Sequence, residues 1–125
     1  MKGSAPLRRH FDNAIETGDR IFTSSIVAFE LFFGAHKSMR PGSNREAAAA
    51  VLARLAEVVA FDEVDAEYAG RIRAELKETG LPIGPYDVLM AGQAMNRSMT
   101  LVTANTREFS RVKGLALQDW SLPAV

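Results

Sequence analysis

Two acidic residues of this sequence stand where no local structural role obviously requires them, and their side chains suit the binding of a metal cation. Asp87 follows Pro85 at the predicted start of a helix, because proline is best tolerated in a first helical turn. Glu108 ends a loop, residues 104–108, that follows a short β-rich run. Carboxylate oxygens are ligands that Mg²⁺ and Mn²⁺ prefer, and clustered carboxylates repel one another unless a cation lies between them.

Each of these acids also has a simpler interpretation. An acidic residue in a first helical turn interacts favourably with the helix dipole, so Asp87 alone could be a capping residue. Glu108 alone could be a solvated loop residue. The combination favours a site, because the helix after Asp87 is apolar almost all round and should be buried. Ligands of open α/β sheets bind beyond the carboxyl ends of the strands, where we expect Glu108 to face the crevice.

A third carboxylate, Glu30, interrupts an otherwise apolar helical segment, residues 26–35, that Ser24 or Ser25 can cap. Burying an ionised carboxylate without a partner costs several kcal/mol, on the order of a domain's net stability. Two interpretations remain open. Glu30 either pairs with an arginine such as Arg71 or Arg73, or it has a metal-linked or catalytic role.

Composition limits the class of protein. The 125 residues suit one compact domain, and 15 basic and 15 acidic residues cancel, so any nucleic-acid contact must come from a local patch. There is no cysteine, and His10 and His36 are too few and too far apart for a zinc site. No segment has the length and apolarity of a membrane span or signal peptide, so we expect no membrane contact and a cytoplasmic location.

The remaining pattern alternates helices and short apolar runs, which predicts a parallel α/β sheet. The first helix should place His10 and Asp12 on its solvated side. The predicted elements are a helix at 6–17, a strand at 20–23, a loop at 38–44, a helix at 47–55, a strand at 58–61, a helix capped by Asp62 and ended by Gly80, a helix from Pro85 or Tyr86, a buried strand at 100–103 and an edge strand at 115–120.

Three segments carry a family resemblance: SSIVAFELFFGAHKS, FDEVDAEYAGRIRAELKETGLPIGPYDVLMAGQA and LVTANTREFSRVKGLALQDW. Together they resemble the PIN domain, specifically the VapC toxins of VapBC toxin-antitoxin systems, over residues 6–120. The resemblance implies a three-layer α/β/α fold with a parallel sheet. It also implies a metal-dependent RNA endonuclease that uses Mg²⁺ or Mn²⁺.

The resemblance also assigns roles to particular residues. Glu30 matches the glutamate of the AFEL helix, Asp87 the aspartate of GPYD, and Glu108 the acidic residue of TREF, which the family uses as catalytic residues and metal ligands. Asn105 and Thr106 match polar residues that surround those ligands.

A basic cluster follows the last of these acids and consists of Arg107, Arg111 and Lys113. A charge run is usually only solvated, but beside a carboxylate metal site these side chains are reasonable contacts for RNA phosphates. The resemblance further implies three partners, namely an RNA substrate, a cognate antitoxin and a second copy of the chain in a homodimer.

The sequence departs from the family pattern in one respect. The family begins with a strand that carries an aspartate in a pattern like LDTN, and residues 1–6 instead resemble the loop that follows that unit. We therefore expect a single PIN-like domain, residues 1–125, that is N-terminally incomplete, lacks its usual first and central strand, and binds metal more weakly. Two alternatives stay open: a non-catalytic binding module that engages an antitoxin or another protein, and an unrelated α/β domain in which the acids are caps and ion pairs.

Overall fold

The computed structural model describes residues 4–55 and 57–121, with side chains from residue 6 onward. Helices and strands alternate along this part of the chain, in the order α1 (Ser4–Glu16), β1 (Phe22–Ser24), α2 (Ser25–His36), α3 (Pro41–Ala53), β2 (Glu57–Val59), α4 (Glu63–Thr79), α5 (Pro85–Asn96), β3 (Leu101–Val102), α6 (Thr106–Phe109) and β4 (Leu117–Gln118).

The strands form parallel pairs, as the alternating pattern predicts. β1 pairs with β2 so that Thr23 lies opposite Val58, and β3 pairs with β4 so that Leu101 lies opposite Leu117. Among the described residues these are two separate two-stranded sheets and not one continuous sheet.

The hydrophobic core lies between helices α4, α5 and α6 and the β3–β4 pair. Its buried members are apolar side chains of α4, α5 and the segment around α6, namely Ile72, Leu76, Ala91, Phe109 and Val112. Helices α4 and α5 approach closely at Gly92, where an added Cβ would lie 2.5 Å from the backbone nitrogen of Ala69. A glycine is therefore required at this crossing.

Local signals explain the ends of these two helices. The side chain of Asp62 accepts a hydrogen bond from the Asp65 N–H, and the Asp65 side chain accepts one from the Asp62 N–H, at 2.9 Å each. The helix ends at Gly80, whose φ of 71° is left-handed and suits glycine. Pro85 occupies the first position of α5. The predicted cap, stop and start are all confirmed.

A polar network joins the start of α4 to the end of α5. Asp65 is completely buried, and Arg97 donates to its Oδ2 at 3.0 Å while Asn96 donates to its Oδ1 at 2.8 Å. Gln93 donates to Asp65 Oδ2 at 3.2 Å and to the Ala60 carbonyl, also at 3.2 Å. This network fixes both helices against the chain that leaves β2.

The same network sets the charge state of Asp65. Burial disfavours its charged form, but hydrogen bonds from Arg97, Asn96 and the Asp62 N–H, together with the Arg97 charge, outweigh burial and lower the pKa of Asp65 from 3.8 to about 2. Asp65 therefore stays ionised, and the positive charge that balances its carboxylate is that of Arg97 in the same protein.

Two of the predicted loops are wrong. Residues 38–44 were expected as a loop, but α3 begins at Pro41, because a proline at the first helical position starts a helix as readily as it breaks one. Residues 104–108 were also expected as a loop, but Thr106 begins the single-turn helix α6. The helix expected at 47–55 therefore starts earlier and ends at Ala53.

Burial differs from expectation at three places. Helix α2 was expected to bury Glu30, but Glu30 is exposed, and so are its apolar neighbours Leu31 and Phe33. Strand β3 is shorter than predicted and leaves Val102 exposed. His10, expected on a solvated face, stacks on Trp120 with ring centroids 5.7 Å apart.

Within the described residues, no helix has the length and apolar character needed to cross a membrane.

Candidate metal centre

Asp87 lies in the first turn of α5, where the local sequence makes room for its carboxyl group. Its Oδ2 lies 3.2 Å from the position that a Cβ on Gly84 would occupy, so a side chain at Gly84 would crowd the carboxylate. Pro85 occupies the first position of α5, so Asp87 lies in the first turn, directly before the buried Val88. Asp87 is half-buried there.

Glu108 is carried by α6, just beyond the carboxyl end of β3, as the sequence predicts. The Asn105 side chain donates from Nδ2 to Glu108 Oε2 at 2.9 Å, and the Asn105 N–H donates to Thr103 Oγ1 at 3.0 Å. Phe109, the next residue, is buried in the core and anchors the short helix. Asn105 thus orients the carboxylate, and Thr106, at the start of α6, is half-buried. The supporting roles of both residues stay predictions.

The two carboxylates act on one another electrostatically. Burial raises the pKa of Asp87, and the negative charge of Glu108 raises it further. In the part of the chain that the structure describes, the salt bridges join Arg97 to Asp62 and Asp65, and neither Asp87 nor Glu108 takes part in one. A pair of repelling carboxylates without a cation from the protein has the donor chemistry that Mg²⁺ or Mn²⁺ requires.

Glu30 is not joined to this pair in the same way. It is exposed on α2, beside Phe29, whose ring lies 5.7 Å from the ring of Tyr86 in the first turn of α5. Helix α2 therefore passes the start of α5, but within residues 4–55 and 57–121 no group of three His, Cys, Asp or Glu side chains is arranged to hold a metal ion. The metal role of Glu30 stays a prediction.

The alternative partner for Glu30 is not seen either. Arg71, one of the two arginines considered for an ion pair, lies over the ring of Tyr68 at 4.8 Å. Within the described residues, Glu30 forms no salt bridge.

The basic cluster divides into two kinds of residue. Arg111 donates from Nη1 to the Pro82 carbonyl at 2.9 Å and so ties the segment after α6 to the loop that leads into α5. Arg107 and Lys113 are exposed. Arg111 therefore links the segment that follows Glu108 to the loop that precedes Asp87. The other two cations face solvent.

Sequence reasoning missed the buried network around Asp65. The signal was present in part, because Asp62 and Asp65 have the spacing of a capping box. The partners Gln93, Asn96 and Arg97 lie about thirty residues further along the chain, and no local pattern connects them to Asp65.

Comparison with known proteins identifies the family. A family model described as the PIN domain matches residues 3–115. The chain therefore belongs to the PIN domain family.

Within that family the chain is similar to VapC proteins. It is 44% identical over 101 residues to the tRNA(fMet)-specific endonuclease VapC of Salmonella typhimurium, a match that covers 81% of this chain and 76% of the relative. It is 40% identical over 100 residues to Ribonuclease VapC2 of Rickettsia felis, covering 80% of this chain and 74% of that protein.

Solved structures agree with this relationship. The DNA-bound VapBC structure from Salmonella typhimurium matches with a TM-score of 0.85 and 38% identity, covering 93% of this chain and 85% of the matched chain. VapBC2 from Rickettsia felis, bound to a promoter DNA fragment, matches with a TM-score of 0.80 and 35% identity, covering 91% and 90% of the two chains. The PIN-like fold class predicted from the sequence is confirmed.

Proposed function

We propose that this protein is a metal-dependent endoribonuclease, the toxin of a toxin-antitoxin pair, which cleaves a phosphodiester bond at the site formed by Asp87 and Glu108. The observation that carries the proposal is the placement of Asp87 in the first turn of α5 and Glu108 on α6, where burial raises the pKa of Asp87 and the charge of Glu108 raises it further. The names of the relatives, endonuclease and ribonuclease, support the same reaction.

The reaction needs a divalent cation, for which we propose Mg²⁺ or Mn²⁺. When bound, such a cation lowers the pKa of a bound water and neutralises charge on the phosphate. Asp87 and Glu108 would hold it, and Asn105 keeps the Glu108 carboxylate oriented through the 2.9 Å hydrogen bond. Glu30 would add a carboxylate from α2. The exposed cations Arg107 and Lys113 lie close to Glu108 in sequence, and exposed cations attract the phosphates of a nucleic acid.

The substrate class we propose is RNA, with transfer RNA as the first member to test. The relative from Salmonella typhimurium is named as specific for tRNA(fMet), and it shares 44% of its residues with this chain over the matched region. Specificity for one transfer RNA would depend on surfaces around the acids, since carboxylates and a metal contact the phosphate and not the base.

The partner we propose is a cognate antitoxin protein, and we further propose a homodimer and a cytoplasmic location. The support for an antitoxin partner is that the two solved structures described above are VapBC structures bound to DNA. We also propose that a further strand pairs between β1–β2 and β3–β4 in the PIN-like domain. Within the described residues, these two strand pairs are separate.

A second candidate function is a non-catalytic module that binds an antitoxin or another protein. The separate strand pairs favour it, because each strand pair leaves unpaired backbone edges that another chain can extend.

Cleavage of purified tRNA(fMet), with Mg²⁺ or Mn²⁺ and with EDTA, separates the two functions. Asp87→Ala should lower the cleavage rate by at least about 100-fold, since it removes a metal ligand. The matched control is Glu63→Ala, which removes an exposed acid from the first turn of α4 and should leave the rate within about twofold. Equal rates for the two variants, or no metal-dependent cleavage by the unmodified protein, would contradict the nuclease and favour the binding module.

A further inference from the structure

Two half-exposed aromatic rings meet at the first turn of α5, which also carries Asp87. Phe29 of α2 keeps 52% of its surface exposed and Tyr86 of α5 keeps 47%. Their ring centroids lie 5.7 Å apart, with planes tilted by 50°. Because the rings come from helices far apart in sequence, the fold itself brings them together on the surface.

Their place relative to the acids is fixed by the chain. Tyr86 directly precedes Asp87 in the first turn of α5, and Phe29 directly precedes Glu30 on α2. Arg107 in turn directly precedes Glu108. Each ring of the pair therefore belongs to the chain neighbour of a candidate site carboxylate, and an exposed cation is the chain neighbour of the third.

Several other aromatic rings in the described part of the chain lie next to cations of the protein itself. Lys37 Nζ lies 5.1 Å from the ring centre of Phe33, and the guanidinium of Arg45 lies 5.8 Å from that of Phe32. Within that same part of the chain, the cation contacts with aromatic rings do not include Phe29 or Tyr86. The pair beside the acids thus keeps ring surface available to a flat, uncharged partner.

We infer that Phe29 and Tyr86 form a stacking platform for one unpaired RNA base next to the phosphate held at Asp87 and Glu108. The inference rests on the proposed nuclease function and names the part of the substrate that this surface takes. Proteins that bind single-stranded RNA stack its bases on aromatic side chains, while cations contact the backbone. In this proposal the rings contact the base, and the exposed Arg107 contacts a neighbouring phosphate.

The test measures RNA binding without cleavage. The probe is a short single-stranded RNA that carries 2-aminopurine, whose fluorescence is quenched when the base stacks, titrated with the protein in EDTA. Tyr86→Leu and Phe29→Leu keep apolar volume but remove a ring, so each should raise the dissociation constant about tenfold and reduce the quenching. Tyr86→Trp, which restores a ring, should recover both.

The matched control is Phe33→Leu, which removes an exposed ring from the same helix one turn beyond Phe29. It should change the dissociation constant by less than about twofold, because that ring already contacts Lys37. In metal-containing buffer, Tyr86→Leu should raise KM for RNA cleavage more than it lowers kcat, whereas the Asp87→Ala variant described above loses kcat.

Two results would overturn the platform. One is an unchanged dissociation constant and quenching for Tyr86→Leu. The other is an equal loss for Phe33→Leu. If Tyr86→Leu instead weakens only the binding of the antitoxin, the surface is a protein-docking face and the platform is wrong. This test is independent of the cleavage test for the nuclease, because the EDTA titration measures base stacking whether or not the unmodified protein cleaves RNA.

Discussion

Asp65 and Asp87 are two aspartates in the first turns of neighbouring helices, yet their surroundings shift their pKa values in opposite directions. Asp65 is completely buried, which by itself raises its pKa, but hydrogen bonds from Arg97, Asn96 and the Asp62 N–H hold that pKa at about 2. Asp87 is half-buried, and burial together with the charge of Glu108 raises its pKa.

The difference lies in where the positive charge comes from. Asp65 is neutralised by Arg97 within the chain, so its carboxylate stabilises the contact between α4 and α5. Asp87 and Glu108 repel one another, and a cation from solution would turn that repulsion into attraction. An unfavourable carboxylate pair at the end of a strand is therefore a better indication of a metal site than a well-paired acid in the core.

The largest effect on stability should come from Asp65→Ala. The variant leaves the Arg97 charge and the donors of Gln93 and Asn96 without their buried partner, so the free energy of unfolding should fall by about 3 kcal/mol. Urea denaturation measures it. Glu63→Ala, an exposed acid in the same turn, should change stability by less than about 0.5 kcal/mol. Similar losses in the two variants would show that the network does not stabilise the fold.

A smaller effect should appear on acidification. Because the pKa of Asp65 is lower in the folded protein, about 2 against 3.8, its stabilisation is complete above about pH 4 and is lost as the pH falls towards 2. The loss should reach at most about 2 kcal/mol, reduced by solvent screening at the partly exposed Arg97. Asp65→Asn should remove this component, which unfolding curves between pH 5 and pH 2 would show. An unchanged pH profile in Asp65→Asn would contradict the ion pair.

The smallest effect on stability should come from Asp87→Asn. Removing its charge relieves the repulsion from Glu108 but also removes a favourable interaction with the dipole of α5, so stability should change by less than about 1 kcal/mol. Thermal unfolding in EDTA measures this change. A loss as large as that of Asp65→Ala would mean that Asp87 is a structural carboxylate like Asp65.

Local patterns in the sequence predicted those parts of the molecule that depend on neighbouring residues. The cap at Asp62, the stop at Gly80 and the start at Pro85 follow from side-chain and backbone preferences of single residues. The parallel pairing and the place of Glu108 beyond β3 follow from the order of elements.

Other features depend on contacts that no local pattern contains. The donors to Asp65 lie on α5, and the exposure of Glu30 depends on what covers α2. The start of α3 at Pro41 was predicted wrongly because proline both ends and begins helices, and the preceding turn decides between them. The coupling of Asp87 to Glu108 could be anticipated, whereas a place for Glu30 beside them stays a prediction.

The central claim is that Asp87 and Glu108 hold a divalent cation while Asp65 does not. Its most direct test is thermal unfolding with increasing Mn²⁺ for the unmodified protein, Asp87→Asn, Glu108→Gln and Asp65→Asn. At Mn²⁺ one hundred times its dissociation constant, the unmodified protein and Asp65→Asn should each gain about 2.7 kcal/mol over their own metal-free stability. Asp87→Asn and Glu108→Gln should gain little, and an equal gain in Asp87→Asn would contradict the site.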